Sequence, residues 1–177
     1  MAVLETIKSL FIPSASAVEE KIVPAPPTTY SIKPLTSNDL KDVLRLNLRC
    51  FTIGDSYNKH TLTYLLNEPR TLSYQTVSAS GELVAFAFVM VNANGAAHLT
   101  TIGVAPEHRR RGIADEMLAH IENKVRQKDL ATIMLEVRVG NYGAQQLYRR
   151  AGYHVVQRIA AYYNNGEDCY LMMKSLA

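Results

Sequence analysis

The chain has 177 residues, the length of a single domain, and is 47% hydrophobic and 20% charged, a balance that excludes a disordered or fibrous chain. Nineteen Lys and Arg against sixteen Asp and Glu leave a net charge of +3, spread along the sequence. Nucleic-acid binders carry a larger, clustered excess, so no direct nucleic-acid contact is expected.

Residues 1–29 differ from the rest. Leu4, Ile7 and Phe11 share one helical face, but Pro13, a Ser/Ala stretch and then Pro24, Pro26 and Pro27 follow. This part reads as an extension and linker, whether tail, docked arm or membrane-surface helix, ahead of one domain over 30–177. Glu5 and Lys8 interrupt its apolar stretch, which argues against a secretory leader. The longest apolar run, 83–91, is far short of the ~20 residues that span a bilayer. Cys50 and Cys169 make neither a disulfide framework nor a CxxC pair, so reduced thiols and a cytoplasmic location are expected.

From Tyr30 the punctuation is regular. A strand is expected over 30–35, then a helix capped by Thr36 or Ser37 and running through Arg49. Leu40, Val43, Leu44, Leu48 and Phe51 form its apolar stripe. A second helix spans 60–67 and ends before Pro69. Strands follow over 71–78, 82–92 and 97–104, with turns at Ser80-Gly81 and Asn94-Gly95. Residues 112–128 read as a helix with Met117, Leu118, Ile121 and Val125 inward. A strand over 131–138 and a helix over 141–151 follow, the latter buried through Ala144, Leu147, Tyr148 and Ala151. Two strands around Asn165-Gly166 close the chain. The order β-α-α-β-β-β-α-β-α-β-β predicts an α/β chain with a mixed sheet and helices on both faces.

The most informative segment is Thr101-Ile102-Gly103-Val104-Ala105-Pro106-Glu107-His108-Arg109-Arg110-Arg111-Gly112-Ile113-Ala114. A strand ends, a loop follows, and a helix begins at three arginines. A helix N-terminus carries about +0.5 charge and four free N–H groups, so arginines there are unfavourable unless an anion occupies the site. Gly112 and Ala114 let the backbone approach that anion closely, the arrangement that grips a diphosphate. A solvated basic patch is the alternative. The phosphate loops GxxxxGK[ST] and GxGxxG are both absent.

Arg109-x-x-Gly112-x-Ala114 resembles the [Q/R]-x-x-G-x-[G/A] acetyl-CoA motif of the GNAT N-acetyltransferase superfamily. The run Leu135-Glu136-Val137-Arg138-Val139-Gly140-Asn141, with Ala144, Leu147-Tyr148 and Ala151-Gly152-Tyr153, is similar to its RimI branch. Tyr162-Tyr163-Asn164-Asn165-Gly166-Glu167-Asp168 resembles the YY-x-x-GED signature shared by RimI and NatA catalytic subunits. His98-Leu99-Thr100-Thr101-Ile102-Gly103-Val104 is similar to the strand before the CoA loop in NatA-type and archaeal relatives. The resemblance implies a GNAT fold: a mixed, mostly antiparallel sheet of six to seven strands, splayed between the fourth and fifth, with about four helices. It also implies a protein Nα-acetyltransferase using acetyl-CoA, without a metal.

By the same resemblance, Glu136 would be the general base and Tyr148 the general acid for the CoA thiolate. The main chain of Ile102, Gly103 and Val104 would pair with the pantetheine arm, with Val104 N–H toward the thioester carbonyl. Arg109, Arg110, Arg111, Gly112, Ile113 and Ala114 would hold the diphosphate, and Asn141 and Tyr148 would meet CoA beyond the splay. Tyr162 and Tyr163 would border the acceptor peptide, with Arg138 orienting the substrate loop in which Asp55 would supply an acidic residue. Asn141 also suits the N-cap of its helix. His98 reads as a satisfied strand histidine, with proton relay as the minor alternative. The implied partners are protein N-termini, ribosomal proteins among them for RimI-type enzymes. An α-amine, with a pKa near ~7.7–8.0 against ~10.4 for lysine, needs only a modest base. A small-molecule amine or lysine acceptor and a non-enzymatic CoA-binding module are the competing readings.

Overall fold

The computed structural model describes residues 22–51, 56–92 and 95–177. The helical face at Leu4, Ile7 and Phe11, and Asp55, lie outside the described residues. The elements are β1 (Tyr30–Pro34), α1 (Leu40–Cys50), α2 (Lys59–Asn67), β2 (Thr71–Ser78), β3 (Leu83–Val91), β4 (Ala97–Val104), α3 (Ile113–Arg126), β5 (Thr132–Arg138), α4 (Tyr142–Arg150), β6 (His154–Ile159) and β7 (Cys169–Ser175). Short 3₁₀ turns occupy Ser37–Asp39 and Pro106–His108.

The seven strands form one sheet in the order β1-β2-β3-β4-β5-β7-β6. All neighbours are antiparallel except β4 and β5, which run parallel and pair only at Ala97 with Ile133 and His98 with Met134. Past His98 the two strands part. Residues 99–104 keep β3 on one side and, among the described residues, have no strand on the other, so the backbone edge facing β5 stays open. β7 inserts between β5 and β6, an arrangement the sequence expectation of two closing strands did not specify.

The core sits around β3, where every residue from Val84 to Val89 is fully buried, so both faces of the strand are covered. The two faces differ in size. Phe86 and Phe88 point together, and Phe86 meets the ring of Phe51 just after α1 at 6.3 Å. Ala87 shares a register position with Tyr74, whose ring meets His120 of α3 at 4.6 Å. Small alanines therefore let α3 approach, and phenylalanines fill the space beneath α1. In α3, Met117, Leu118, Ile121 and Val125 are all buried, as their spacing predicts.

The α1 stripe needs correction. Its buried residues are Val43, Leu46 and Asn47, while Leu48 is exposed. A polar residue takes the inward position because Asn47 clamps the chain beyond the helix. Its amide donates to the Tyr57 carbonyl at 2.8 Å and accepts from the Tyr57 N–H at 3.3 Å. The start of the region shifts as well, since Thr36 and Asp39 form a capping box around the 3₁₀ turn. No helix among the described residues is long and apolar enough to cross a membrane.

Candidate active site

Where β4 parts from β5, a cavity of about 570 Å³ opens between the free edge of β4, the turn after it, the start of α3 and one face of α4. Ile102, Gly103, Val104, Arg109, Arg110, Gly112, Ile113, Ala114, Asn141 and Tyr148 all line it. Gly112 is the N-cap of α3 in the left-handed conformation (φ 79°) and no side chain caps the helix. The first N–H groups of a fourteen-residue helix thus end at the cavity. Arg110 is also left-handed (φ 62°), a conformation costly for a residue with a Cβ. Arg109 turns back to donate from Nε to the Val104 carbonyl at 3.1 Å.

Gly103 has a steric reason to lack a side chain. A Cβ there would lie 2.8 Å from the Phe86 ring and 3.1 Å from Cys50 Sγ. The Cys50 thiol, which also lines the cavity, is pushed up to about 11 by burial, against the opposing pull of Arg109, and stays protonated. Asn141 caps α4 by accepting from the Ala144 N–H at 3.1 Å while still lining the cavity. Tyr148 is buried at the opposite wall, its ring 5.8 Å from that of Tyr153, and burial raises its phenol well above the ordinary value.

A second group of residues stands on β5 and the loop between β6 and β7, outside the cavity lining. Glu136 lies on the face of β5 opposite the buried Leu135 and Val137. Its Oε2 is 2.6 Å from His98 Nε2, across the gap where β4 and β5 begin to diverge, and both side chains are buried. Among the described residues, Glu136 Oε1 is buried without a hydrogen-bond partner. Burial first, and then the Glu136 charge, raise the Tyr162 phenol far above its usual range, so the two groups sense each other.

Arg138 holds the loop. It donates to Glu167 at 2.5 Å and to Asn165 Oδ1 at 3.1 Å, and its guanidinium lies 3.7 Å from the centre of the Tyr163 ring. Glu167 also accepts the Gly140 N–H at 2.9 Å, which, with Arg138, holds its carboxyl below the usual range. Asp168 accepts the Ala161 N–H and pairs with Arg158. The acidic end of the Tyr-Tyr-x-x-Gly-Glu-Asp run is thus a loop brace that carries Tyr162 and Tyr163 to the splay.

One placement departs from the sequence expectation. Arg111 does not line the cavity; its guanidinium donates to the Ala25 and Pro26 carbonyls and to Tyr30 Oη. Arg138 meets the Glu167 loop, and the substrate loop near Asp55 that it was expected to orient lies outside the described residues. Several contributors had no sequence signal. Gln145, buried on α4, donates to the carbonyls of Arg138 and Val139 and fixes the β5–α4 corner. Asp115 and Arg150 pair at 3.3 Å on the cavity wall. Among the described residues, the one cluster with cation-ligand spacing is Glu82, Glu107 and His108. Arg49 already pairs with Glu107 at 2.7 Å and Tyr30 with His108 Nδ1 at 2.9 Å.

A sheet opened between two parallel strands, with a bare helix N-terminus and an arginine-rich turn ending in glycine at the opening, is the architecture of an acyl-group transferase. Residues 40–153 match the acetyltransferase (GNAT) family, and the chain belongs to that family. It is 40% identical over 80 residues to an N-alpha-acetyltransferase of Saccharolobus solfataricus, across 45% of this chain and 48% of that relative. It is 25% identical over 146 residues to a putative [ribosomal protein bS18]-alanine N-acetyltransferase of Bacillus subtilis, across 82% and 95% of the two chains. The crystal structure of the ribosomal-protein-S18-alanine N-acetyltransferase from Escherichia coli superposes with a TM-score of 0.77 at 27% identity, covering 84% of this chain and 95% of that one.

Proposed function

We propose that the protein is a cytoplasmic protein Nα-acetyltransferase that moves an acetyl group from acetyl-CoA to the α-amine of a peptide N-terminus, by direct attack in a ternary complex. Residues 30–177 are its catalytic domain. The carrying observation is the buried Glu136, with Oε2 tied to His98 and Oε1 unpartnered beside the splay. A buried carboxylate oxygen without a donor is costly to maintain, and an incoming ammonium supplies the missing partner. The names of the Saccharolobus, Bacillus and Escherichia relatives support the same acceptor chemistry.

The donor site suits acetyl-CoA on several counts. The open edge of Ile102–Val104 can pair with an extended amide-bearing arm, and the bare start of α3 with Arg109 and Arg110 can take a diphosphate. Asn141 and Tyr148 stand across the cavity. When bound, acetyl-CoA supplies an activated acetyl thioester. The chain supplies the proton handling. Glu136 Oε1 takes a proton from the α-ammonium, and His98 Nε2, 2.6 Å from Oε2, takes it up from the carboxyl. Tyr148, kept protonated by burial, donates its phenol proton toward the departing thiolate. Val104 N–H is the donor for the carbonyl oxygen, where charge develops in the transition state. Tyr162 and Tyr163 border the peptide, Asp55 adds an acidic contact, and Arg138 acts through Tyr163.

Thiol release from acetyl-CoA with peptides that differ only in their first residue tests this, with an N-terminally blocked lysine peptide as control. Peptides with a free α-amine on a small first residue are the expected acceptors, and the residues accepted separate a RimI-like preference (alanine or serine first) from a NatA-like one. Turnover confined to the blocked peptide or to small polyamines would overturn the reading.

A further inference from the structure

We propose that residues 22–30, which precede the family match at residue 40, are a working part of the donor site: they strap the turn at 105–112 into its diphosphate-binding form through Arg111 and His108. The inference rests on the acetyl-CoA reading above. Its basis is a set of contacts from one short segment to the back of that turn. Ala25 N–H donates to the Glu107 carbonyl at 3.0 Å. Arg111 returns two bonds, to the Ala25 carbonyl and to the Pro26 carbonyl at 2.9 Å. Arg111 also donates to Tyr30 Oη at 3.0 Å, and Tyr30 Oη bonds His108 Nδ1 at 2.9 Å. The Tyr30 and His108 rings meet edge-on at 5.8 Å, and His108 lines the donor cavity from behind.

The composition of the segment fits this task. In Pro24-Ala25-Pro26-Pro27 only Ala25 has an N–H, and that N–H is the one used. Three prolines fix an extended backbone that has little freedom left to lose, so the carbonyls of residues 25 and 26 are presented ready-made. Thr28 Oγ1, accepting from the Ala79 N–H at 3.4 Å, ties the far end to the β2–β3 turn.

The turn itself shows why a strap is needed. Arg110 and Gly112 are both left-handed, and such strain at a non-glycine residue persists only where the surroundings over-determine it. Arg111 stands between them, and its side chain reaches away from the cavity into the strap. Arg111, Tyr30 and Ala25 are positioning residues: they touch no reacting group, and they set where the N–H groups of residues 112–115 point.

The test uses full-length protein with Ala25→Pro, which removes the one strap N–H in an already extended stretch, and with Tyr30→Phe. Calorimetric titration with acetyl-CoA is compared with acetyl-pantetheine, which lacks the diphosphate. Each variant is expected to bind acetyl-CoA roughly three- to tenfold more weakly, the range for one or two lost hydrogen bonds. Acetyl-pantetheine affinity, kcat at saturating acetyl-CoA and peptide KM are expected to stay unchanged. Tyr30→Phe combined with Arg111→Ala should be weaker than Arg111→Ala alone by less than the Tyr30→Phe loss by itself, since only the Tyr30–His108 bond then remains to be broken. Unchanged acetyl-CoA affinity in both strap variants would overturn the proposal. So would an Arg111→Ala defect that simply adds to that of Tyr30→Phe, because Arg111 would then meet the diphosphate directly. If the wild-type chain binds no acetyl-CoA, the functional reading fails, and amide exchange of the ligand-free chain over 106–113 decides the strap. Faster exchange in Ala25→Pro sustains it, and unchanged exchange refutes it.

Discussion

The two sides of the splay are built by different means. On the proposed donor side the groups at the opening are main-chain: the open edge of β4, the left-handed turn at Arg110 and Gly112, and the uncapped start of α3. On the proposed acceptor side they are side chains locked by partners distant in sequence: Glu136 with His98, and Arg138 with Glu167 and Tyr163. Main-chain recognition suits an invariant ligand such as a diphosphate arm. A braced set of side chains on a loop can be altered residue by residue, which suits an acceptor that differs between relatives. The comparison teaches that the two sides should fail separately.

The largest expected effect is on the acceptor side. Glu136→Gln should lower kcat by about 10²–10⁴-fold, the usual contribution of a positioned base, with KM for acetyl-CoA unchanged. A parallel rise in that KM would break the separation. His98→Ala should give a smaller fall in kcat, because Glu136 remains. Tyr148→Phe should cost about 10²-fold, the lower end of that range, again in kcat. Because burial raises the Tyr148 phenol above its ordinary value of 10.0, its proton stays in place as pH rises. Rate measurements up to about pH 10 should therefore show no alkaline decline from this group.

The brace should come next. Arg138→Lys or Glu167→Gln should raise peptide KM about tenfold while leaving acetyl-CoA KM alone, since the planar fork and the cation–π stack are lost. Glu167 titrates below its ordinary 4.5, so its contribution is complete above that pH and is lost as pH falls through the lowered value. Amide exchange of the 160–168 loop should accelerate on that acid side, and Glu167→Gln should abolish the dependence. On the donor side, Gly103→Ala should lower stability by about 1–3 kcal/mol, because its Cβ meets the Phe86 ring at 2.8 Å, and thermal unfolding will read it. The exposed Asp42–Arg45 pair, 2.6 Å apart on α1, should matter least: Arg45→Ala should leave Tm and both KM values unchanged.

Local signals carried much of the fold. The 3.6-residue spacing of Met117, Leu118, Ile121 and Val125 is an α3 property, and all four are buried. The apolar run at 83–91 is β3, covered on both faces, and Asn58 and Asn141 cap the helices that start after them. The turn at 105–112 was legible for the same reason. Its glycine, its arginines and the helix behind them are consecutive, so their geometry follows from neighbours along the chain. Where a stripe was misread, a polar clamp had won: Asn47 takes an inward position on α1 because Tyr57 needs its backbone satisfied, and Leu48 turns to solvent.

What the sequence by itself determined was the set of elements and the glycine-capped turn that opens α3, because hydrophobic period, caps and turns act over a few residues. Only the tertiary structure decided which side chains meet across the sheet. The parallel register that sets His98 against Glu136, the insertion of β7 between β5 and β6, and the turning of Arg111 from the cavity toward Ala25 and Tyr30 all join residues far apart in the chain. Such contacts follow from how the whole sheet packs, and no local pattern encodes them.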